Sequence, residues 1–192
     1  MNVDWDARPD IDDRAAHENY LALLRSAMGV FASDDEITLL AADAERYRNG
    51  DRDYRASSGY GATMSYRERW HVANERENMR HQWADWFGDY DLLLCPVAAS
   101  AAAYHDHAGE RPDRTIEVNG GQQPATDQLF WAGWSCNVYL PSSVAPAGLT
   151  ATGLPVGLQA ITPHLHDRRA VAFAALVEQS LGGYQVPPGY EA

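Results

Sequence analysis

A paired pattern near the C-terminal end of the chain constrains its fold more than any other stretch. Two short runs that contain β-branched or alternating apolar residues, 142–146 and 154–161, flank a turn segment that holds Gly148 and Gly153. Such runs around a glycine-containing turn predict a β-hairpin. Apolar residues then repeat at near-helical spacing over residues 167–181, so a helix is expected to follow the hairpin. The chain is therefore expected to be an α/β protein in which this hairpin and helix form one unit.

Three motifs in and before this unit resemble the closing segment of amidase-signature amide hydrolases. They are Val144-Ala-Pro-Ala-Gly148, Gly153-Leu-Pro-Val-Gly-Leu-Gln159 and Asp127-Gln-Leu-Phe-Trp-Ala-Gly133, the last of which is similar to the helix before the family's final hairpin. The likeness extends over roughly residues 12–181 and covers only the C-terminal portion of the family. It implies the C-terminal part of a mixed-sheet α/β fold, and an enzyme that hydrolyses carboxylic amides through a serine acyl-enzyme.

The resemblance implies a Ser, cis-Ser, Lys triad, and this sequence offers no lysine. All 15 of its Lys and Arg residues are arginines, and a guanidinium stays protonated at any working pH, so it cannot act as the base. The one stretch that resembles a Gly/Ser-rich signature is Ser57-Ser58-Gly59, and its surroundings predict a polar loop. We therefore expect no catalytic residue in this chain and no activity from the chain alone.

Four residues are candidates for contact with substrate, because the resemblance places their segment along the acyl-side pocket. They are Asp127, Trp131, Asn137 and Tyr139. Thr126 is expected to cap the helix that carries the first of them. For Trp131 the alternative is core packing, since aromatic residues at helical spacing more often pack than bind. The resemblance implies that a small-molecule amide is bound only together with an upstream portion of the enzyme.

Two other functions stay open. The first is a noncatalytic binding or assembly module derived from an amidase, which would expose no large apolar patch. The second is a hydrolase that uses Cys136 or Ser135 with His71 or His81 as its base. The sequence around Ser135 falls one residue short of a G-x-S-x-G elbow and lies in a helical pattern, which argues against this second alternative.

Residues 1–88 are expected to be mainly helical. Candidate N-caps are Asp12 or Asp13, Ser33 and Ser65. The first two helices are expected to form an αα-hairpin, and residues 51–63 to form a polar loop. The helix that Ser65 begins carries apolar residues on two faces, so it must be covered on two sides.

Residues 89–192 are expected to add a strand, a loop, a helix, the hairpin and the last helix, which makes residues 1–192 a single partial domain. Leu92-Leu93-Leu94-Cys95 is a continuous apolar run that predicts a strand buried on both faces, with partners outside this sequence. Residues 98–126 predict a long loop with a small hairpin before Asn119-Gly120.

Charge and composition exclude several classes of partner. The formal net charge is -12 at pH 7, which repels polyanions and therefore argues against nucleic acid and anionic membranes. No apolar stretch approaches the roughly 20 residues of a membrane span. We expect a cytoplasmic protein, and a homodimer stays open.

The cysteines and histidines predict no metal and no cofactor. Cys95 and Cys136 match neither a disulfide framework nor a CxxC pattern, so both are expected to be buried free thiols. His105 and His107 alternate as two ligands on one face of a strand would. A credible third and fourth ligand are lacking, because His164 and His166 form the only similar pair.

Overall fold

A computed structural model describes residues 2–187 and 189–190 of the chain. In these residues the helices are α1 (Asp13–Met28), α2 (Asp34–Arg48), α3 (Tyr54–Thr63), α4 (Tyr66–Trp86), α5 (Leu129–Cys136) and α6 (Asp167–Leu181). The strands are β1 (Leu93–Pro96), β2 (Thr115–Val118), β3 (Gly121–Pro124), β4 (Ser142–Leu149) and β5 (Pro155–Ile161). The predicted α/β class is confirmed, with helices in the first half and a mixture in the second.

The predicted N-caps of the first half are confirmed. Asp12 Oδ1 accepts a hydrogen bond from the Ala15 N–H at 2.8 Å, and Ser33 and Ser65 each form a capping box with the glutamate three residues later. These caps satisfy N–H groups that the first helical turn leaves unpaired, so they fix where α1, α2 and α4 begin. The predicted Thr126 cap is wrong. A 3-10 turn over Ala125–Gln128 leads into α5 and buries the threonine hydroxyl without a hydrogen-bond partner.

The predicted polar loop over residues 51–63 is wrong, because most of it is helix α3. Asp53 caps this helix by accepting from the Ala56 N–H at 2.7 Å. A Cβ at Gly59 would lie 2.6 Å from the Leu40 carbonyl oxygen, and one at Gly61 would lie 2.7 Å from the Ala22 oxygen. The glycines that suggested a loop therefore allow α3 to approach the backbones of α2 and α1 closely.

Helix α3 also changes how the first two helices meet. The extensive contacts of α1 and of α2 are with α3, which lies between them, and not with each other. The predicted αα-hairpin is therefore replaced by a three-helix layer whose middle member is the segment taken for a loop.

Strand β1 pairs antiparallel with β5, in a three-stranded sheet of order β1-β5-β4. This corrects the expectation of a strand buried on both faces with its partners outside the chain, since Leu93 and Leu94 are only half-buried. Cys95 and Val144 both lie opposite Gln159, one on each neighbouring strand. The predicted small hairpin is confirmed as β2 and β3, which turn through Asn119 and Gly120.

The hairpin and helix predicted from the C-terminal pattern are confirmed. Strands β4 and β5 pair antiparallel, with an irregularity between Pro146 and Gly148. Helix α6 packs on β4, where the Ser143 hydroxyl donates to the Ala170 carbonyl at 2.6 Å. One end of the hairpin is fully buried, with Ile161 and Thr162 both 0% exposed.

Helix α4 is covered on one side and open on the other. Val72 and Trp83 are buried, and the Trp83 ring lies edge-on to Trp134 of α5 at 5.3 Å between centroids. On the other side of the helix, the apolar residues Trp70 and Ala84 are exposed, Trp70 to 53%. The described part of the chain therefore covers only one of the two faces that the sequence marks as apolar.

Candidate functional site

The four residues predicted to face substrate lie along α5 and in the segments directly before and after it. Asp127 is in the 3-10 turn before α5, Trp131 is in α5, Asn137 directly follows the helix and Tyr139 lies two residues further on. Asn137 is buried, whereas Tyr139 is 51% exposed. The surroundings of the four side chains therefore differ.

Asn137 lies inside a buried hydrogen-bond network. Its Nδ2 donates to Asn19 Oδ1 at 3.0 Å, and Asn19 Nδ2 donates to the Val72 carbonyl at 2.8 Å. This pair of amides joins α1, α4 and the end of α5. In this structure the Asn137 side chain is therefore committed to the core, because buried amide groups need such partners.

Asp127 lies near His17, a residue of α1 that sequence reasoning missed. Burial raises the pKa of the Asp127 carboxyl, and the positive charge that His17 can carry partly opposes this. Burial also lowers the pKa of His17, whose Nδ1 is buried without a hydrogen-bond partner. Burial is the largest cause of both shifts, because it disfavours the charged form of each group. A single histidine in an amphipathic helix carried no signal of this arrangement.

The aromatic residue Trp131 is half-buried and packs against its neighbour. The Phe130 and Trp131 rings are edge-on at 5.1 Å between centroids, and the Phe130 ring also approaches His17 at 5.8 Å. Both interpretations of Trp131, core and pocket wall, are compatible with a ring that packs on one side and is accessible on the other.

Tyr139 has an unusual backbone and a cationic surrounding. Its φ of 60° is in the left-handed region, which is uncommon for a residue with a large side chain. The guanidinium carbons of Arg76 and Arg80 lie 4.6 and 5.3 Å from its ring centroid. The Nδ1 of His164 lies 3.0 Å from the Tyr139 carbonyl oxygen, which links this turn to the one after β5.

The serines of α3 and α5 carry hydroxyl groups that are buried. The hydroxyls of Ser57 and Ser58 are buried in α3 without partners, and the Ser135 hydroxyl accepts from Ser142 at 3.3 Å. Within residues 2–187 and 189–190, no hydrogen bond joins a serine or threonine hydroxyl to a histidine ring. Ser57 is thus a buried helical residue and not part of a polar loop, as had been expected.

The two cysteines differ, which corrects the expectation that both are buried. Cys95 is buried and burial raises the pKa of its thiol to about 12, so it is unreactive at neutral pH. Cys136 is exposed at the end of α5. Among the described residues no group of three or more His, Cys, Asp or Glu side chains could hold a metal ion.

Gln159 on β5 is a polar side chain without an evident role in this fold. It is 4% exposed, and its Nε2 has no hydrogen-bond partner. Its cross-strand neighbours are Val144, which is 52% exposed, and the buried Cys95.

A cleft with a volume of about 620 Å³ lies beside Tyr139. It is bounded by the end of α4, the turn that leads to β1 and the turn that follows β5, and its walls include Val138 and Leu140. None of the four predicted substrate-facing residues lines it. Sequence analysis missed this cleft, because its residues come from three distant segments.

Comparisons with known proteins agree on one family. The model of the family described as Amidase matches residues 26–171. Fatty-acid amide hydrolase 2-A of Danio rerio is 42% identical over 116 residues, which are 60% of this chain and 19% of that protein. The acylamidase of Rhodococcus erythropolis is 31% identical over 103 residues, which are 54% of this chain and 21% of that protein.

Solved structures show the same fold at low identity. A crystal structure of an amidase matches with a TM-score of 0.61 at 20% identity. The match covers 87% of this chain and 36% of the amidase chain. A bacterial aryl acylamidase of the amidase-signature family matches with a TM-score of 0.57 at 19% identity. The match covers 90% of this chain and 35% of the acylamidase chain. The chain spans about a fifth of the length of the curated relatives and about a third of these structures.

Proposed function

The chain belongs to the amidase family, and from this premise we propose that it supplies pocket wall and core to a carboxylic amide hydrolase of the Ser-Ser-Lys type. In this proposal the catalytic triad comes from sequence outside this chain. Amide hydrolysis then needs both parts, and the substrate is a small-molecule amide. The chain alone is inactive.

One observation carries the proposal: the sequence has no lysine at all. The 15 basic side chains other than histidine are arginines, which cannot lose a proton to become a general base. Among the described residues, no histidine lies within hydrogen-bond distance of the buried serine hydroxyls of α3 and α5 to replace the lysine. A serine without a positioned base is a weak nucleophile.

Exposed apolar groups support a chain that packs against further protein. Val144, Leu149 and Val156 of the hairpin are 52%, 66% and 41% exposed, although hairpin residues of this kind usually face a core. Among the described residues no strand pairs with the outer edge of β1. A noncatalytic module that folds by itself is expected to cover such surfaces. This exposure therefore favours a part of an amide hydrolase over a noncatalytic module.

A hydrolysis assay tests the proposal directly. The purified 192-residue chain is incubated with 4-nitroacetanilide, and the release of 4-nitroaniline is followed by absorbance. We expect a rate equal to the buffer rate. The positive control is the intact Rhodococcus acylamidase, assayed under the same conditions.

A complementation assay then tests the shared site. The Rhodococcus acylamidase is prepared without the segment that matches this chain and is mixed with the chain. Turnover by the mixture and by neither component alone is the expected result. The proposal would be contradicted if the chain alone showed turnover that stays with it through purification and is lost in the triple variant Ser57→Ala, Ser58→Ala, Ser135→Ala. At least one of these serines would then have a base.

A further inference from the structure

The cleft beside Tyr139 concentrates hydrogen-bond donors in a chain whose net charge is -12. Its basic side chains come from α4 and from the segment around the start of α6: Arg80, His81, His164, His166 and Arg169. Three carboxylates also line it, from Glu77, Asp89 and Asp91. Arginine donates at any working pH and a histidine ring donates in either protonation state, so five of the lining side chains offer donors to a ligand.

The two arginines are held by ion pairs that a ligand can replace. Arg169 Nη1 lies 3.0 Å from Asp91 Oδ1, and these side chains are 43% and 88% exposed. Arg80 Nη1 lies 2.8 Å from Glu77 Oε2, with exposures of 27% and 49%. Exposed pairs contribute little net stability, because water already satisfies the separated charges. A ligand anion that enters the cleft therefore competes with weak partners.

Apolar residues also line the cleft, and together they are called its apolar wall. It is formed by Ala84, Phe87, Val138, Leu140 and Pro163. Tyr90 also lines the cleft, and its ring is stacked on Trp86 at 4.5 Å between centroids. A volume of about 620 Å³ is within the range of about 300 to 1,000 Å³ that small-molecule sites occupy.

Backbone strain is found at both sides of the cleft. Apart from Asn119 in its hairpin turn, the described residues with a side chain and a positive φ are Tyr139, at 60°, and Leu165, at 64°. Tyr139 lies between two lining residues, Val138 and Leu140, and Leu165 lies between His164 and His166. Strain of this kind persists where the surroundings enforce it, and it clusters at ligand sites. Here it orients both turns that supply the cleft.

We infer that this cleft binds an organic carboxylate with an apolar, preferably aromatic, body. The carboxylate accepts hydrogen bonds from Arg80 and Arg169, and the body packs against Phe87 and the apolar wall. Arginine favours a carboxylate because its planar fork matches the two oxygens. This inference does not depend on whether the chain takes part in amide hydrolysis.

Calorimetric titration of the full chain with 4-phenylbutyrate tests the ligand class. We expect saturable binding to one site. The neutral analogue 4-phenylbutanol lacks the charge, and inorganic phosphate lacks the apolar body, so each is expected to bind at least about tenfold more weakly. Absence of 4-phenylbutyrate binding, or equally tight binding of either control ligand, would overturn the inference.

Matched variants test the location. The Arg80→Gln, Arg169→Gln double variant is expected to raise the Kd for 4-phenylbutyrate by at least about tenfold, because it removes both charged donors. The control is Arg14→Gln, Arg67→Gln, which changes the net charge equally at exposed positions outside the cleft and is expected to leave the Kd within about twofold. An equal Kd in the cleft and control variants would place the ligand elsewhere.

A variant that keeps every charge guards against loss of folding in the arginine variant. Ala84→Phe fills the cleft from an exposed position on α4 and is expected to raise the Kd by at least about tenfold while circular dichroism and Tm stay those of the wild type. A Kd unchanged by Ala84→Phe would overturn the inference by itself.

Discussion

The helical layer α1 to α3 and the unit of β4, β5 and α6 are built on different principles. In the helical layer, small residues allow backbones to touch, and Ala44 and Ala56 are both 0% exposed. In the second unit a ladder of backbone hydrogen bonds positions larger side chains, such as the fully buried Ile161. The first arrangement depends on the absence of side-chain atoms, and the second depends on their presence.

The two regions also differ in how completely they are closed. Along β5 the exposure falls from 41% at Val156 to 2% at Ala160 and 0% at Ile161. The hairpin is therefore part of a core at one end and open at the other, where Leu149 is 66% exposed. This gradient shows that one strand can stabilise the described fold and still present an apolar surface to another protein segment.

The largest expected effect is at the closed end of the hairpin. Ile161→Ala removes three methyl or methylene groups from a fully buried site, and we expect a loss of about 4 kcal/mol in the free energy of unfolding. Val156→Ala, at the open end of the same strand, is expected to lose less than about 1 kcal/mol. Urea unfolding measures both. Equal losses would show that the gradient in exposure is not a gradient in packing.

The next effect tests the close contact in the helical layer. A Cβ at Gly59 would lie 2.6 Å from both Asp43 Cβ and the Leu40 carbonyl oxygen, so we expect Gly59→Ala to lose about 2 kcal/mol in the free energy of unfolding. Helix propensity alone would give a gain of about 1 kcal/mol for the same change. The sign of the change in urea unfolding therefore decides which effect dominates.

The control for that substitution is a glycine with space around it. Gly121→Ala on β3 would place its Cβ 3.7 Å from the nearest heavy atom, the Val118 oxygen, and we expect its effect to stay within about 0.5 kcal/mol. If Gly59→Ala were as mild as Gly121→Ala, the helices of this layer could separate without cost, and the comparison with the hairpin unit would fail.

How much the sequence predicts follows the same division between the two regions. The hairpin and α6 were predictable because period and turn residues are local signals. Helix α3 was missed because glycines are typical of loops. Here Gly59 and Gly61 instead allow helices to approach each other closely, which is a tertiary requirement. The antiparallel pairing of β1 with β5 was missed because pairing joins segments more than 60 residues apart in sequence.

The candidate site divides in a similar way. The α5 segment was located from its motif, yet Asn137 proved to be held by Asn19, a partner on a distant helix that spacing cannot indicate. His17 and the cleft beside Tyr139 gave no signal, since each arises where separate helices and turns meet. Family motifs thus located the segment, and only packing shows what its side chains contact.

The smallest effect concerns the seam where the helical layer meets the turn before α5. Burial lowers the pKa of His17 from its ordinary value of 6.5, and Asp127 and Glu18 partly oppose this shift. Below pH 6.5 the unfolded chain therefore binds a proton at this position before the folded chain does, so stability falls as pH falls toward the folded pKa.

We expect the free energy of unfolding of the wild type, relative to His17→Gln, to decrease as the pH falls from 7.5 to 5. Urea unfolding at several pH values measures it, with His105→Gln in an exposed loop as the control for removing a histidine. A difference that stayed constant across this range, or grew as the pH fell, would mean that the seam is open to water and that the helical layer is less closed than the hairpin unit.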